Sequence, residues 1–325
     1  MRPLGTLISL AVSTLLLVIL YRSLDVRLMG QTLLSAHPLW LVFSVGLILP
    51  ITVLRAVRFF LVAPPGALPS VGEALRLTLA ATALNVFLPA KSGDLIKSYF
   101  VAKRSDTSAG VSIAIVVYER LCDLFALIFW CLAGWVVSRP EVPGLPSLFW
   151  GLLVVIGTAP GILISSARIA LYGRELIGRT FPHTRLKKLR NVAQGWPDLL
   201  VMLRGRRRWI VGYSLFLWLV HLVQIWLFTV TLDANVPFTV CVSLSAVALM
   251  AGQLPFTIAG LGTRDVALVL LLARYMAPES AAAMGVLIAT RAIVPPVIGL
   301  PVMWPYLASA IGDARRWRQA AEQTG

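Results

Sequence analysis

Two short stretches of this sequence carry charge where the surrounding chain is apolar. The first runs Asn85-Val86-Phe87-Leu88-Pro89-Ala90-Lys91-Ser92-Gly93-Asp94, then Lys97, and is followed by Tyr118-Glu119-Arg120-Leu121-Cys122-Asp123. The second runs Gln253-Leu254-Pro255, then Ala259-Gly260-Leu261-Gly262-Thr263-Arg264-Asp265, and is followed by Ala289-Thr290-Arg291. The order is the same in both: Leu-Pro, a turn of small residues, an acid, an apolar helix and an Arg. Gly93 precedes Arg120 by 27 positions and Gly262 precedes Arg291 by 29. Proline ends a helix and glycine lets the chain reverse. A helix restarting after such a break has free N–H groups and a positive dipole end, which suit an anion. Arginine's planar fork of donors matches a phosphate. These residue types therefore suit a site for an anionic or phosphate-bearing group. Its binding cations are expected to be Arg120, Arg264 and Arg291, with Lys91 and Lys97 at the mouth. Asp94, Glu119, Asp123 and Asp265 are expected to pair with those cations, Asp265 facing both Arg264 and Arg291. Pro89, Gly93, Pro255, Gly260 and Gly262 are expected to make the turns. Acid–Arg pairs that merely hold helices together are the competing reading of the same residues.

The elements that position these motifs follow from hydropathy. Of 325 residues, 58% are hydrophobic and 13% charged, whereas a soluble domain is nearer a quarter charged. Runs such as Leu4 to Leu20, Pro38 to Leu54, Leu145 to Ala167 and Trp209 to Leu232 hold almost no charge. About 20 apolar residues in a helix cross a hydrocarbon core of about 30 Å. The runs are continuous rather than alternating, which predicts helices and not a barrel. The expected fold is all-α, a polytopic membrane bundle in a single domain. Six full spans are predicted at about 4–21, 38–62, 109–137, 147–166, 209–232 and 280–311. Two further apolar pieces, 72–104 and 238–277, are broken by Pro and Gly and are predicted to be re-entrant hairpins. The halves 1–137 and 209–311 then form an inverted repeat, an arrangement that puts a transporter's site near the midplane.

Charge sets the orientation. The net charge of +15 sits mostly in loops, so it records topology and anionic lipid contact rather than nucleic-acid binding. Residues 167–208 hold eleven Lys and Arg against Glu175 and Asp198 and are predicted to be cytoplasmic. The tail 312–325 and the N-terminus fall on the same side, in a bacterial inner membrane. Leu189, Val192, Trp196, Leu199, Leu200 and Leu203 recur at helical spacing and predict an interfacial amphipathic helix, interrupted near Pro197. Trp40, Trp130, Trp135, Trp150, Trp209 and Trp304 read as interface anchors. His221 and Gln224, one turn apart, read as helix–helix hydrogen-bonding residues. Cys122, Cys131 and Cys241 lie in apolar spans and read as small buried hydrophobes. No cofactor or metal is expected: the chain lacks a phosphate-binding G-x-x-x-x-G-K-[ST] loop, a His/Cys cluster at metal spacing and a G-x-S-x-G elbow.

Leu88-Pro89-Ala90-Lys91-Ser92-Gly93-Asp94 with Glu119-Arg120-Leu121-Cys122-Asp123, and Gly260-Leu261-Gly262-Thr263-Arg264-Asp265 with Arg291, together resemble the lysylphosphatidylglycerol synthase transmembrane (flippase-like) family. The resemblance spans roughly residues 5–310. It implies a stand-alone member without the aminoacyl-transfer domain. Family members usually carry Gly-Arg at Ala90-Lys91, Glu at Asp94 and Asp265, and Arg at Lys97. The expected function is a non-enzymatic lipid translocator. It would move an amphiphile with an anionic or phosphate-bearing head between leaflets. Its expected partners are membrane lipids with anionic heads, and lipid or glycan synthesis enzymes. A non-transporting scaffold for such enzymes, or an enzyme acting on lipid headgroups, stand as alternatives. No feature of the sequence sets an oligomeric state.

Overall fold

The computed structural model describes residues 3–22, 24–105, 107–140, 142, 147–166, 171–172, 175, 187–253 and 260–323. Every regular element among them is helical. In chain order they are α1 (Pro3–Arg22), α2 (Val26–Leu34), α3 (Pro38–Gly46), α4 (Ile48–Val62), α5 (Val71–Phe87), a 3₁₀ segment (Pro89–Asp94), α6 (Leu95–Arg104), α7 (Ala109–Ser138), α8 (Ser147–Ser165), α9 (Lys187–Met202), α10 (Arg207–Thr231), α11 (Phe238–Ala251), α12 (Thr263–Leu272) and α13 (Pro278–Gln323). Among the described residues five segments are long and apolar enough to cross a membrane: 38–62 (α3 with α4), α7, α8, α10 and α13. The sixth expected span, 4–21, falls on α1. The chain is an all-α, multi-pass membrane protein.

Local chemistry sets the boundaries. Ser70, Ser108 and Asp25 cap α5, α7 and α2 by accepting hydrogen bonds from Glu73, Val111 and Arg27 N–H groups, which satisfies donors the first turn leaves open. Pro295, Pro296, Pro301 and Pro305 all lie inside α13. Membrane helices carry such residues because neighbouring helices satisfy the freed carbonyls. With 46 residues, α13 is about 69 Å long, more than twice the hydrocarbon thickness. The tail expected as a separate cytoplasmic segment thus continues the last helix as far as Gln323. Leu34, Leu148, Trp209 and Trp304 stand exposed, as a lipid-facing surface requires.

Two breaks interrupt the apolar helices. Between α5 and α6 the chain tightens into the 3₁₀ segment. Gly93 serves there as a close-approach residue: a Cβ would meet the Ala81 carbonyl and the Asn85 amide of α5. Between α11 and α12 the chain turns through Gly260 (φ 77°) and Gly262 (φ 93°), a left-handed backbone that favours glycine. Pro255 lies outside the described residues. Both expected hairpins thus contain a break between two helices.

The long helices and the broken helices pack reciprocally. The most extensive contact of α13 is with α5, and that of α7 is with α11. Each of these long helices thus lies against a helix that ends in one of the two breaks. A glycine makes each contact possible. Gly134 of α7 meets the Thr239 carbonyl and Ser243 of α11, and Gly299 of α13 meets the Leu79 carbonyl of α5. Ser243 Oγ donates to the Cys131 carbonyl at 2.9 Å across the first of these. Apolar side chains fill in around both contacts as two cores, one centred on α4, α5 and α9, the other on α10, α11 and α13.

One expectation changes. The basic helix α9 runs through Pro197 without interruption. Its Trp196, Leu199 and Leu200, together with Leu203, are buried in the first core, and Gly195 lies against Gly110 of α7. Those four members of the stripe serve helix packing; the side chains of Leu189 and Val192 lie outside the described residues. Trp135 and Trp150 stack on each other at 5.3 Å.

Candidate functional site

Arg55 and Arg58 stand one turn apart on α4, at the end of an apolar run. Arg58 is buried. Its Nη1 donates to Asp123 Oδ1 at 2.5 Å, and its Nε lies 3.6 Å from Glu119 Oε1. Glu119 and Asp123 lie four residues apart on α7, so one helix face presents both carboxylates to α4. Asp123 Oδ1 also accepts from Trp218 Nε1 of α10 at 2.8 Å. Glu119 Oε2 takes Lys97 Nζ of α6 at 3.4 Å, and that ammonium sits 5.0 Å above the Phe59 ring.

The next layer joins the 3₁₀ break to α7. Arg120 is ion-paired with Asp94, and its Nη1 lies 3.6 Å from Asp123 Oδ2. Asn85 Nδ2 donates to Asp94 Oδ1 at 3.2 Å. The Arg120 side chain keeps 33% of its surface open.

The second half builds a smaller version. Arg264 Nε and Nη2 donate to Asp265 Oδ1 at 2.9 and 2.6 Å, and Nη2 also reaches the Gly285 carbonyl of α13 at 3.1 Å. Asp265 Oδ2 accepts from the Gly262 N–H at 3.0 Å, which ties the acid to the start of its own helix. Arg291 stands apart. Among the described residues it makes no ion pair, and its Nη1 is buried without a hydrogen-bond partner. Arg55 likewise makes neither ion pair nor hydrogen bond among the described residues. The fields of Asp123 and Glu119 act on Arg55, and those of Arg55 and Arg264 on Arg291.

The expected site residues therefore divide. Lys97 was expected at an open mouth, yet it is buried on Glu119. Arg264 is engaged by Asp265. Asp265 was expected to face both arginines and pairs with Arg264 instead of Arg291, because two donors of Arg264 and the Gly262 amide already occupy it. Arg120 is paired but partly open. Arg291 alone among the expected binding arginines is uncommitted. The side chains of Lys91 and Pro89 lie outside what the structure describes. Arg55 and Arg58 were missed, although their signal was present: two arginines three apart, with no acid near them in sequence. Gln224 Nε2 donates to the Ser44 carbonyl of α3 at 2.7 Å, a helix–helix bond, while His221 bonds the Leu217 carbonyl of its own helix and stacks on Trp218.

Two archaeal proteins of Methanocaldococcus jannaschii resemble the chain. UPF0104 membrane protein MJ1595 is 21% identical over 274 residues, 78% of this chain and 80% of that protein. UPF0104 membrane protein MJ1078 is 26% identical over 195 residues, 58% of this chain and 78% of that protein. The model of the family described as lysylphosphatidylglycerol synthase TM region matches residues 6–299, a range that holds both breaks and every ion pair just described. The chain belongs to that family.

Proposed function

We propose that the chain is a lipid translocator, moving an amphiphile with an anionic or phosphate-bearing head between leaflets while the tails stay in lipid. The observation that supports it most is the charge surplus. Arg58, Lys97 and Arg120 pair with Asp94, Glu119 and Asp123, and Arg264 pairs with Asp265. Arg55 and Arg291 make no ion pair among the described residues. An unpaired cation at membrane depth costs several kcal/mol and persists where it faces a cavity or a ligand. Arg55, Arg120 and Arg291 all remain partly exposed, so a head can reach them. The reciprocal packing of the halves supports the inverted repeat, with 72–104 and 238–277 as hairpins approaching from opposite sides. The basic content of 167–208 supports a cytoplasmic side for the termini.

The test is scrambling of fluorescent lipids in proteoliposomes. Flipping that depends on the head and is lost in both Arg55→Ala and Arg291→Ala supports the reading. Bleaching curves equal to those of empty liposomes for every head would sink it.

A further inference from the structure

Resting on the translocator reading, we infer that Glu73 and Asp313 clasp α6 to α13, and that an anionic lipid head opens the clasp by taking Lys103 and Arg104 from them. The observations lie at the basic end of α6. The backbone of α6 packs on α7 and α5 but scarcely on α13. Side chains cross that seam instead. Asp313 of α13 accepts from Tyr99 and Lys103 of α6, and from Arg316 of its own helix at 2.8 Å. Lys103 Nζ also donates to Ser309 Oγ of α13 at 3.3 Å. Glu73, in the first turn of α5, accepts from Arg104 Nη1 at 2.7 Å and from the Tyr306 hydroxyl of α13 at 2.8 Å. Phe100 and Tyr306 meet edge to face across the same seam, with ring centroids 5.1 Å apart.

Two carboxylates thus hold α6 to α13 through long side chains and not through close-packed backbones. Such pairs are replaceable: partly exposed ion pairs add little stability and are screened by salt. The side chains of Lys103 and Arg104 keep 43% and 32% of their surface open while clasped, so a second anion reaches them before anything moves. A phosphate-bearing head presents the same kind of acceptor oxygens as a carboxylate, and the Arg104 fork can take two of them. Once a head holds both cations, Asp313 and Glu73 lose their hold on α6 and the seam is free to widen. A head without net charge does not compete for them. At the other end of α6, Asp94 pairs with Arg120, whose side chain is partly open. That arginine is the next cation for a head admitted at the seam.

The experiment measures the seam and the transport separately, on the full chain. Spin labels are placed at Ala102→Cys in α6 and Ala314→Cys in α13, because the native Cys122, Cys131 and Cys241 are buried. In phosphatidylcholine nanodiscs the label pair should give one distance. A second, longer distance should appear in the Glu73→Gln/Asp313→Asn double variant, and in the unaltered clasp once phosphatidylglycerol is added to the disc. Labels at the exposed Val137→Cys and Leu148→Cys positions of α7 and α8 should keep their distance throughout, which shows that the fold is intact. A single unchanged distance in the double variant overturns the clasp. Glycerol 3-phosphate in solution opening the seam as well as phosphatidylglycerol does overturns the lipid as its opener. For transport, Lys103→Cys and Ser309→Cys are joined by a short bis-methanethiosulfonate. Bridging should bring lipid scrambling down to that of empty liposomes, and reductant should restore it. Full scrambling while bridged overturns the clasp as a gate. No scrambling of any lipid by the wild type, with the longer distance still induced by phosphatidylglycerol, fells the translocator reading and supports the clasp.

Discussion

Replacing Arg291 with methionine should make the ligand-free protein more stable, and the same change at Arg264 should make it less stable. Both residues are arginines among the same helices, yet their partners differ. Arg264 gives two hydrogen bonds to Asp265, at 2.9 and 2.6 Å, and a third to the Gly285 carbonyl. Removing it strands a buried carboxylate, which costs about 3–5 kcal/mol. Arg291 has no acid partner among the described residues and one buried donor unsatisfied. Insertion scales put an arginine at a helix centre at about 2.5–3.5 kcal/mol. Part of Arg291 reaches the surface, where solvent screens it, so about 1–2 kcal/mol is the fair share to regain. Methionine keeps the unbranched stem and its packing, so the charge is the main thing removed. The assay is apparent Tm in one detergent at one scan rate, since membrane proteins unfold irreversibly and only matched comparisons carry meaning. Arg291→Met should rise by a few degrees and Arg264→Met should fall by more. If both fall alike, Arg291 has a protein partner, the surplus of charge is false, and the site reasoning collapses.

Two further outcomes probe the frame around the site. Gly134→Leu and Gly299→Leu should each cost about 1–3 kcal/mol or more by overpacking a backbone contact, while Gly212→Ala, with nothing within 4 Å, should be neutral or stabilising by up to about 1 kcal/mol; apparent Tm and monodisperse yield check all three. Asp313→Asn should loosen the far end of α13 from α6, because Asp313 accepts from Tyr99, Lys103 and Arg316; faster backbone hydrogen exchange over 306–318 with unchanged exchange over α7 checks it.

Much of the fold was legible because hydrophobic length is a local property. Spans 38–62, 109–137 and 209–232 match their helices within two residues, since lipid leaves a helix as the main way to satisfy the backbone. The breaks were legible from Pro and Gly. What failed was pairing. Asp265 sits next to Arg264 in sequence and was also assigned to Arg291, but an acid's reach is set by which donors arrive first, and the Gly262 amide and Arg264 fill it. Lys97 looked like a mouth residue because its neighbours were basic; the turn of α6 points it at Glu119 instead. Arg55 and Arg58 escaped notice because they close a long apolar run, where a window of hydropathy dilutes two charges. The α9 stripe was legible as amphipathic, but amphipathicity does not say whether lipid or α7 covers the apolar face.

The division of charge between the halves explains why the surplus arginines matter more than the paired ones. Each half settles its own acids locally: Asp94, Glu119 and Asp123 with cations of α4, α6 and α7, and Asp265 with the neighbouring Arg264. Asp123 also accepts from Trp218 of α10, so the first set of pairs is tied to the second stretch as well. Arg55 and Arg291 come from the two different stretches 1–137 and 209–311. On the proposed reading, an anionic head held by both would be a bridge whose energy depends on how those stretches sit. A ligand shifts a conformational balance only by its differential affinity for the two states. On that reasoning the bridging pair is where a head could bias the halves, and either arginine alone should bind an anion weakly without drawing the halves together.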